Sequence, residues 1–218
     1  MQQASLFVLA EQPSVANHFM AELRDRTRQT DRMRFRRNIE RLGEILAYEL
    51  SKTLPYRPES VTTPLGTADI SLLTQQPVLV SILRAGLPLH WGVLNYFDQA
   101  DSGFIGAYRQ NTTDGFTIQL DYQSMPSVQD RPLILIDPML ASGQTLVKVL
   151  KQISNFGIPS QIHILSVIAA PEGISLLEQE IQHLYRLWVG AIDNQLNDKS
   201  YIIPGLGDAG DLAFGNKL

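Results

Sequence analysis

The stretch from Leu133 to Thr145 constrains this chain most. Leu133, Ile134, Leu135 and Ile136 are apolar at every position, as expected of a strand buried on both faces. They run into an acid, Asp137, and then into a short loop of small and polar residues. Leu146, Val149, Leu150 and Ile153 follow at helical spacing. The order is strand, loop, helix, with the loop at the carboxyl end of a buried strand. Backbone N–H groups converge at such a place, and the helix N-terminus adds partial positive charge. Gly143 lets the chain approach closely, so the loop suits a phosphate. A plainer reading makes Ser142 an N-cap and Gly143 a tight turn. Asp137 does not suit a phosphate, and a pair of sugar hydroxyls is its natural partner. Acid and cradle together point to a ribose 5-phosphate site.

The same pattern recurs along the chain. Val78–Leu83 reads as a buried strand ending in Arg84-Ala85-Gly86-Leu87, with a helix starting near Pro88. Residues 162–168 form another buried strand, and Tyr185 to Ile192 the last strong one. Helices are expected over residues 14–24, 31–50 and 143–156, the last closed by Gly157, and from Pro171 to about Glu180. Residues 103–108 and 116–122 predict a β-hairpin with a mobile tip at 111–115. Strands that alternate with helices give an α/β fold with a mostly parallel sheet, the hairpin being its one antiparallel insertion. Residues 1–218 read as a single domain, with no repeat, low-complexity tract or linker.

Composition narrows the function classes. A net charge of −4 argues against a nucleic-acid-coating role. The chain has no cysteine, which removes disulfides, thiolate metal sites and a thiol nucleophile. No apolar run approaches a membrane span and no signal peptide is visible, so a cytoplasmic protein is expected. Eight arginines lie between Arg24 and Arg41; they read first as a solvated or subunit-facing helix surface, then as an anion or effector site. His18, His90, His163 and His183 show no metal spacing, and His163, within a strand, is expected to be structural. Trp91 and Trp188 are expected in packing roles. P-loop, dinucleotide and serine-hydrolase motifs are absent.

Two further loops join the first at the carboxyl edge of the sheet. Arg84 follows an apolar strand, where its planar fork can hold a phosphate bidentately; a surface arginine is the alternative. The tail from Tyr201 to Asp211 is too rich in glycine for a strand and too apolar for a frayed end. A conformationally demanding loop near a ligand fits it better, with backbone groups reading the polar edge of a small planar molecule.

Taken together, these loops resemble the uracil phosphoribosyltransferase family over most of the chain. The resemblance rests on Ile82-Leu83-Arg84-Ala85-Gly86-Leu87, Tyr108-Arg109, Asp137-Pro138-Met139-Leu140-Ala141, Ala169-Ala170-Pro171-Glu172-Gly173-Ile174, the segment from Tyr201 to Asp211, and Phe214-Gly215-Asn216-Lys217. It implies a type I phosphoribosyltransferase fold with a C-terminal base-binding loop, and a pentosyltransferase that converts uracil and 5-phosphoribosyl 1-diphosphate (PRPP) to UMP and diphosphate. Arg84, Arg109, Asp137 and Asp208 are then the expected catalytic residues. PRPP is expected against Arg84, Arg109 and Asp208, and along Asp137, Pro138, Met139, Leu140, Ala141, Ser142, Gly143, Gln144 and Thr145. Uracil is expected against Tyr201, Ile202, Gly207, Asp208 and Ala209. The resemblance also implies Mg²⁺ carried mainly by PRPP, GTP as a candidate effector, no protein-only metal site, and a homodimer or higher homo-oligomer. The alternative is a catalytically inert uracil or UMP sensor on the same fold.

The chain departs from that family at two places. Ala141-Ser142-Gly143-Gln144-Thr145 stands where the family usually has Ala-Thr-Gly-Gly-Ser, so the backbone at Gln144 must tolerate a side chain. Gln110-Asn111-Thr112-Thr113 stands where the family often has Asn-Glu-Glu-Thr, so two acids are missing from the hairpin tip.

Overall fold

Strands that are apolar on both faces need helices on both sides, and this chain supplies them. The structure, a computed structural model, describes residues 5–112 and 115–216, without the side chains at 109, 111, 112, 115 and 116. The elements run β1 (Ser5–Val8), α1 (Ala16–Arg24), α2 (Arg32–Ser51), β2 (Tyr56–Thr63), β3 (Gly66–Leu73), β4 (Val78–Leu83), α3 (Leu87–Leu94), β5 (Asp101–Thr112) and β6 (Gly115–Ser124). There follow β7 (Pro132–Ile136), β8 (Met139–Leu140), α4 (Gln144–Ile153), β9 (Gln161–Ala169), α5 (Pro171–Glu180), β10 (Tyr185–Ile192), β11 (Gln195–Leu196), β12 (Ile202–Ile203) and α6 (Ala209–Phe214).

The main sheet has the order β1-β10-β9-β7-β4-β5-β6, with β8 beside β9. All of its pairings are parallel except β5 with β6. Alternate residues of β7 serve opposite cores. Ile134 and Ile136 pack with α1, α2 and α3 through Leu23, Phe35, Leu42 and Leu89. Leu133 and Leu135 pack with α4 and α5 through Leu146, Val149 and Leu177. From β4 the chain continues through α3 to β5 on one side, whereas from β7 it continues through α4 to β9 on the other. The winding therefore reverses between β4 and β7, and a crevice opens outside their carboxyl ends. Arg84 follows β4 and Asp137 follows β7, so both stand at that crevice.

The structure corrects three sequence expectations. β5–β6 is not the one antiparallel insertion: β2 and β3 form a separate antiparallel hairpin, and β11 pairs with β12. β2–β3 escaped notice because Arg57, Pro58 and Glu59 leave β2 with no apolar alternation; β3 does alternate, through Ala68, Ile70 and Leu72, but Ile70 and Leu72 are exposed. The tail is not all loop, since α6 covers its last part, started by the Asp208 side chain accepting from Asp211 N at 2.9 Å. Trp188 is buried as expected, but Trp91 is half exposed on α3.

His163 lies wholly buried, accepting from Trp188 Nε1 at Nδ1 (3.1 Å). His90 is buried between Ser81 (2.9 Å) and Ser102 (3.0 Å), tying β4, α3 and β5 together. Burial pushes both imidazoles down to about 4, so both are neutral at pH 7. Among the described residues, no helix is long and apolar enough to cross a membrane.

Candidate active site

The three strand-end loops close around one cleft of about 430 Å³. Arg84, Asp137, Thr145, Tyr201, Asp208 and Ala209 all line it. Met139, Ala141 and Gly207 contribute as well, and Tyr108 and Ile118 bring the wall of the β5–β6 hairpin. A small recess of about 40 Å³ adjoins it, formed by the Asp137–Thr145 loop with Leu140, Ser142 and Gly143. Its small size and convergent loop fit a single phosphate better than a base.

Geometry inside the recess follows from Gly143. It is the N-cap of α4 with φ +80°, a conformation that favours glycine, and no side chain caps the helix there. Ser142 is therefore not the N-cap. Gln144 is the first helical residue and its side chain is exposed, so the backbone accepts the substitution for the second glycine. Asp137 is half-buried, and its Oδ1 accepts from Met139 N at 3.2 Å. Pro138 lines neither hollow; its carbonyl accepts from Val167 N (2.9 Å) and Ile168 N (3.1 Å).

Arg84 follows a cis Leu83–Arg84 peptide. Its Nη2 donates to Asp211 Oδ1 at 3.1 Å and to the Gly215 carbonyl at 3.2 Å. Both side chains of this ion pair are about a third exposed, so it is weak enough to be exchanged for a ligand. Arg109 has its backbone in β5 opposite Ile118, and its side chain lies outside the described residues, as do residues 113 and 114 of the tip and Lys217. Tyr108 on the same strand donates to Asp121 Oδ2 at 2.7 Å, across the bulge at Gly106/Ala107. Along the β6 strand of the hairpin, Lys148 of α4 donates to the Ile118 carbonyl, and Gln152 Nε2 donates to Gln123 Oε1 at 3.0 Å.

On the other side of the cleft stands the Tyr201–Ala209 segment. Tyr201 and Ser200 line it, whereas Ile202 is buried in the core behind. The Asn197 side chain shapes the entry, accepting from Lys199 N and Tyr201 N at 3.0 Å each. Further along, Gln29 Nε2 donates to the Leu206 carbonyl at 3.1 Å and Arg36 Nη1 to the Ala213 carbonyl at 2.6 Å. Arg24 and Asp193 hold Gly205 between them. Sequence reasoning missed these supports and read the arginine run as surface. A signal was available for Asp193: it follows the apolar strand β10 directly, as Asp137 follows β7.

The mostly parallel sheet, with its winding reversed at the crevice, has the type I phosphoribosyltransferase fold. A hypoxanthine phosphoribosyltransferase from Staphylococcus aureus has the same fold, with a TM-score of 0.51 at 15% identity over 72% of this chain and 74% of that one. The family model described as uracil phosphoribosyltransferase matches residues 10–216. A uracil phosphoribosyltransferase from Porphyromonas gingivalis is 46% identical over 211 residues, 96% of this chain and 98% of the relative. The structure of the AQ2163 protein from Aquifex aeolicus superposes with a TM-score of 0.86 at 32% identity, covering 96% of this chain and 98% of that one. The chain belongs to the uracil phosphoribosyltransferase family.

Proposed function

We propose that the cleft divides the family's two substrates, uracil and PRPP, between its walls. The observation that carries this reading is the convergence of the Arg84, Asp137–Thr145 and Tyr201–Ala209 segments on one hollow. The ribose 5-phosphate sits over the recess, with its phosphate among the N–H groups at the start of α4 and its hydroxyls at Asp137. Arg84, with Arg109 from the hairpin, takes the diphosphate. Gly207, Asp208 and Ala209 face uracil through backbone groups, beside Tyr201, and Asp208 also borders PRPP.

As the bond from the anomeric carbon to diphosphate breaks, positive charge grows on the sugar and negative charge on the leaving group. Arg84 and Arg109 offset the negative charge in a partly closed site. Holding the uracil nitrogen against the anomeric carbon supplies orientation, which contributes much of the rate in two-substrate reactions. The hairpin excludes water, limiting hydrolysis of PRPP.

The donors present fit Mg²⁺ brought in by the substrate. Asp137 and Asp208 offer hard oxygens at the cleft, and no group of three or more metal-binding side chains gathers among the described residues. When bound, Mg²⁺ supplies further charge neutralisation on the diphosphate. The setting is read as cytoplasmic, and GTP as a candidate effector.

A second copy of the chain would find its surface on the β2–β3 hairpin, where Tyr56, Val61, Leu65, Ile70 and Leu72 are exposed. The arginine-rich helices serve less well, since Arg34 pairs with Glu22 and Arg37 with Glu40 (2.6 Å each) within one chain. Light scattering should give a dimer or larger assembly, and Val61→Lys/Ile70→Lys should shift it toward monomer; a monomeric parent excludes the assembly.

The deciding assay is UMP formation from labelled uracil, PRPP and Mg²⁺, with and without GTP. Asp137→Ala should lower kcat/KM by about 100-fold or more. An unchanged rate would undo the assignment of Asp137, and absence of UMP from the parent protein would leave a uracil sensor.

A further inference from the structure

We infer that Arg24 and Asp193 are positioning residues for the base, an ion pair that fixes the Gly205 peptide and thereby the register of the uracil loop. The inference rests on the assignment of uracil to residues 201–209. Arg24 grips Asp193 with both terminal guanidinium nitrogens, Nη1 to Oδ2 at 2.8 Å and Nη2 to Oδ1 at 2.6 Å. Asp193 is 6% exposed, and the Arg24 side chain 23%. Both members of the pair then turn to the same residue. Asp193 Oδ2 accepts from Gly205 N at 2.8 Å, and Arg24 Nη1 donates to the Gly205 carbonyl at 3.0 Å. Donor and acceptor of Gly205 are thus both taken by one ion pair, a bidentate arrangement with little angular freedom.

Gly205 is where the loop needs such a hold. Its φ is +62°, and a Cβ there would lie 2.1 Å from the Ile202 carbonyl oxygen. The turn is therefore closed on itself, and its direction sets where the next residues go. Gln29 Nε2 donates to the following carbonyl, that of Leu206, at 3.1 Å, while its own register is fixed by a 2.8 Å bond to the Leu23 carbonyl. With the polar groups of Gly205 held by Arg24 and Asp193 and the Leu206 carbonyl by Gln29, Gly207, Asp208 and Ala209 are left to face the cleft. A base read by backbone groups is sensitive to such a shift, because the loop cannot compensate by choosing another side-chain rotamer. Neither Arg24 nor Asp193 lines the cleft, so each acts through Gly205.

The anchor belongs to the base wall, not to the sugar-phosphate wall. Its removal should therefore separate the two Michaelis constants, which a general loss of stability would not do. Arg24→Ala should raise KM for uracil about tenfold or more, with KM for PRPP within about twofold of the parent. Arg24→Lys should fall between, since an ammonium keeps the charge but not the bidentate geometry. Tyr201→Ala, which removes a side chain lining the cleft itself, serves as the control for the base assignment. If Tyr201→Ala raises KM for uracil and Arg24→Ala does not, the anchor is refuted while the base site stands. If Tyr201→Ala leaves KM for uracil unchanged, the base assignment fails instead. Equal shifts of both constants in Arg24→Ala also overturn the anchor. Should Arg24→Ala fail to fold, Arg24→Lys decides; a rise of about threefold in KM for uracil alone is expected, and no rise refutes the inference.

Discussion

Replacing Gly173 by alanine should impair PRPP use without touching the site's chemistry. Gly173 is the third residue of α5, and a Cβ there would lie 2.2 Å from the Ala141 carbonyl oxygen and 2.8 Å from Leu140 Cδ1. Ordinary contact begins near 3.4 Å, so the Ala141 carbonyl would have to retreat by about 1.2 Å. Helix propensity alone favours alanine over glycine by about 1 kcal/mol. Overpacking against a fixed backbone costs about 1–3 kcal/mol, so the clash should win. The Ala141 carbonyl belongs to the loop that forms the recess, and a misplacement of about 1 Å at a reacting centre can cost roughly 100-fold. We expect kcat/KM for PRPP to fall by about 10- to 100-fold, KM for uracil to stay within about twofold, and the protein to remain folded by circular dichroism. Steady-state UMP formation with each substrate varied in turn reads this directly. Parent-like PRPP kinetics in a folded Gly173→Ala protein would refute the packing argument.

Stability should depend on acid through His90 and His163. Each is held neutral by burial, with its folded value near 4 against an ordinary 6.5. Above pH 6.5 neither state is protonated and nothing is lost; between about 6.5 and 4 the unfolded chain takes up protons that the fold refuses. The two histidines together should give a limiting slope of about 2.7 kcal/mol per pH unit in that window, and His163→Gln should about halve it in denaturant titrations. An unchanged slope in His163→Gln would remove that histidine from the account. Lys148→Met breaks the bond from α4 to the Ile118 carbonyl, opposite Arg109 in the hairpin. Diphosphate release from PRPP without uracil should rise by about threefold or more as water enters, and an unchanged rate would show that the hairpin does not depend on that tether.

The Tyr201–Asp211 segment was legible through glycines in an apolar stretch, and Arg84 and Asp137 through another signal: an apolar strand that ends abruptly in a charge. That placed Arg84 and Asp137 at the carboxyl edge, and the reversal of winding between β4 and β7 brings them together. Asp193 carried the same signal after β10, yet its meaning depended on a partner 169 residues away. Arg24 was hidden for a different reason. Among eight arginines, composition cannot tell the one that reaches Gly205 from the ones that meet solvent or Glu22. The β2–β3 hairpin left only half a trace: Ala68, Ile70 and Leu72 alternate along β3, but Arg57, Pro58 and Glu59 break the pattern in β2. Local patterns report burial well; they say little about bonds made across most of the chain.

The glycine requirements of the site explain why its departure from the family is mild. In the recess, the positive φ and the close approach fall on the same residue. Gly143 has φ +80°, and a Cβ on it would lie 2.9 Å from the Gly173 carbonyl oxygen. Gln144 has neither demand, being helical and exposed. A side chain there adds no clash inward and favours the first turn of α4 over a glycine by about 1 kcal/mol. The α4 N-terminus and Gly143 therefore keep the shape of the recess, and what changes is the solvent side of the loop. Any effect of Gln144 on PRPP must come from its exposed side chain, since the backbone that forms the recess is already in place.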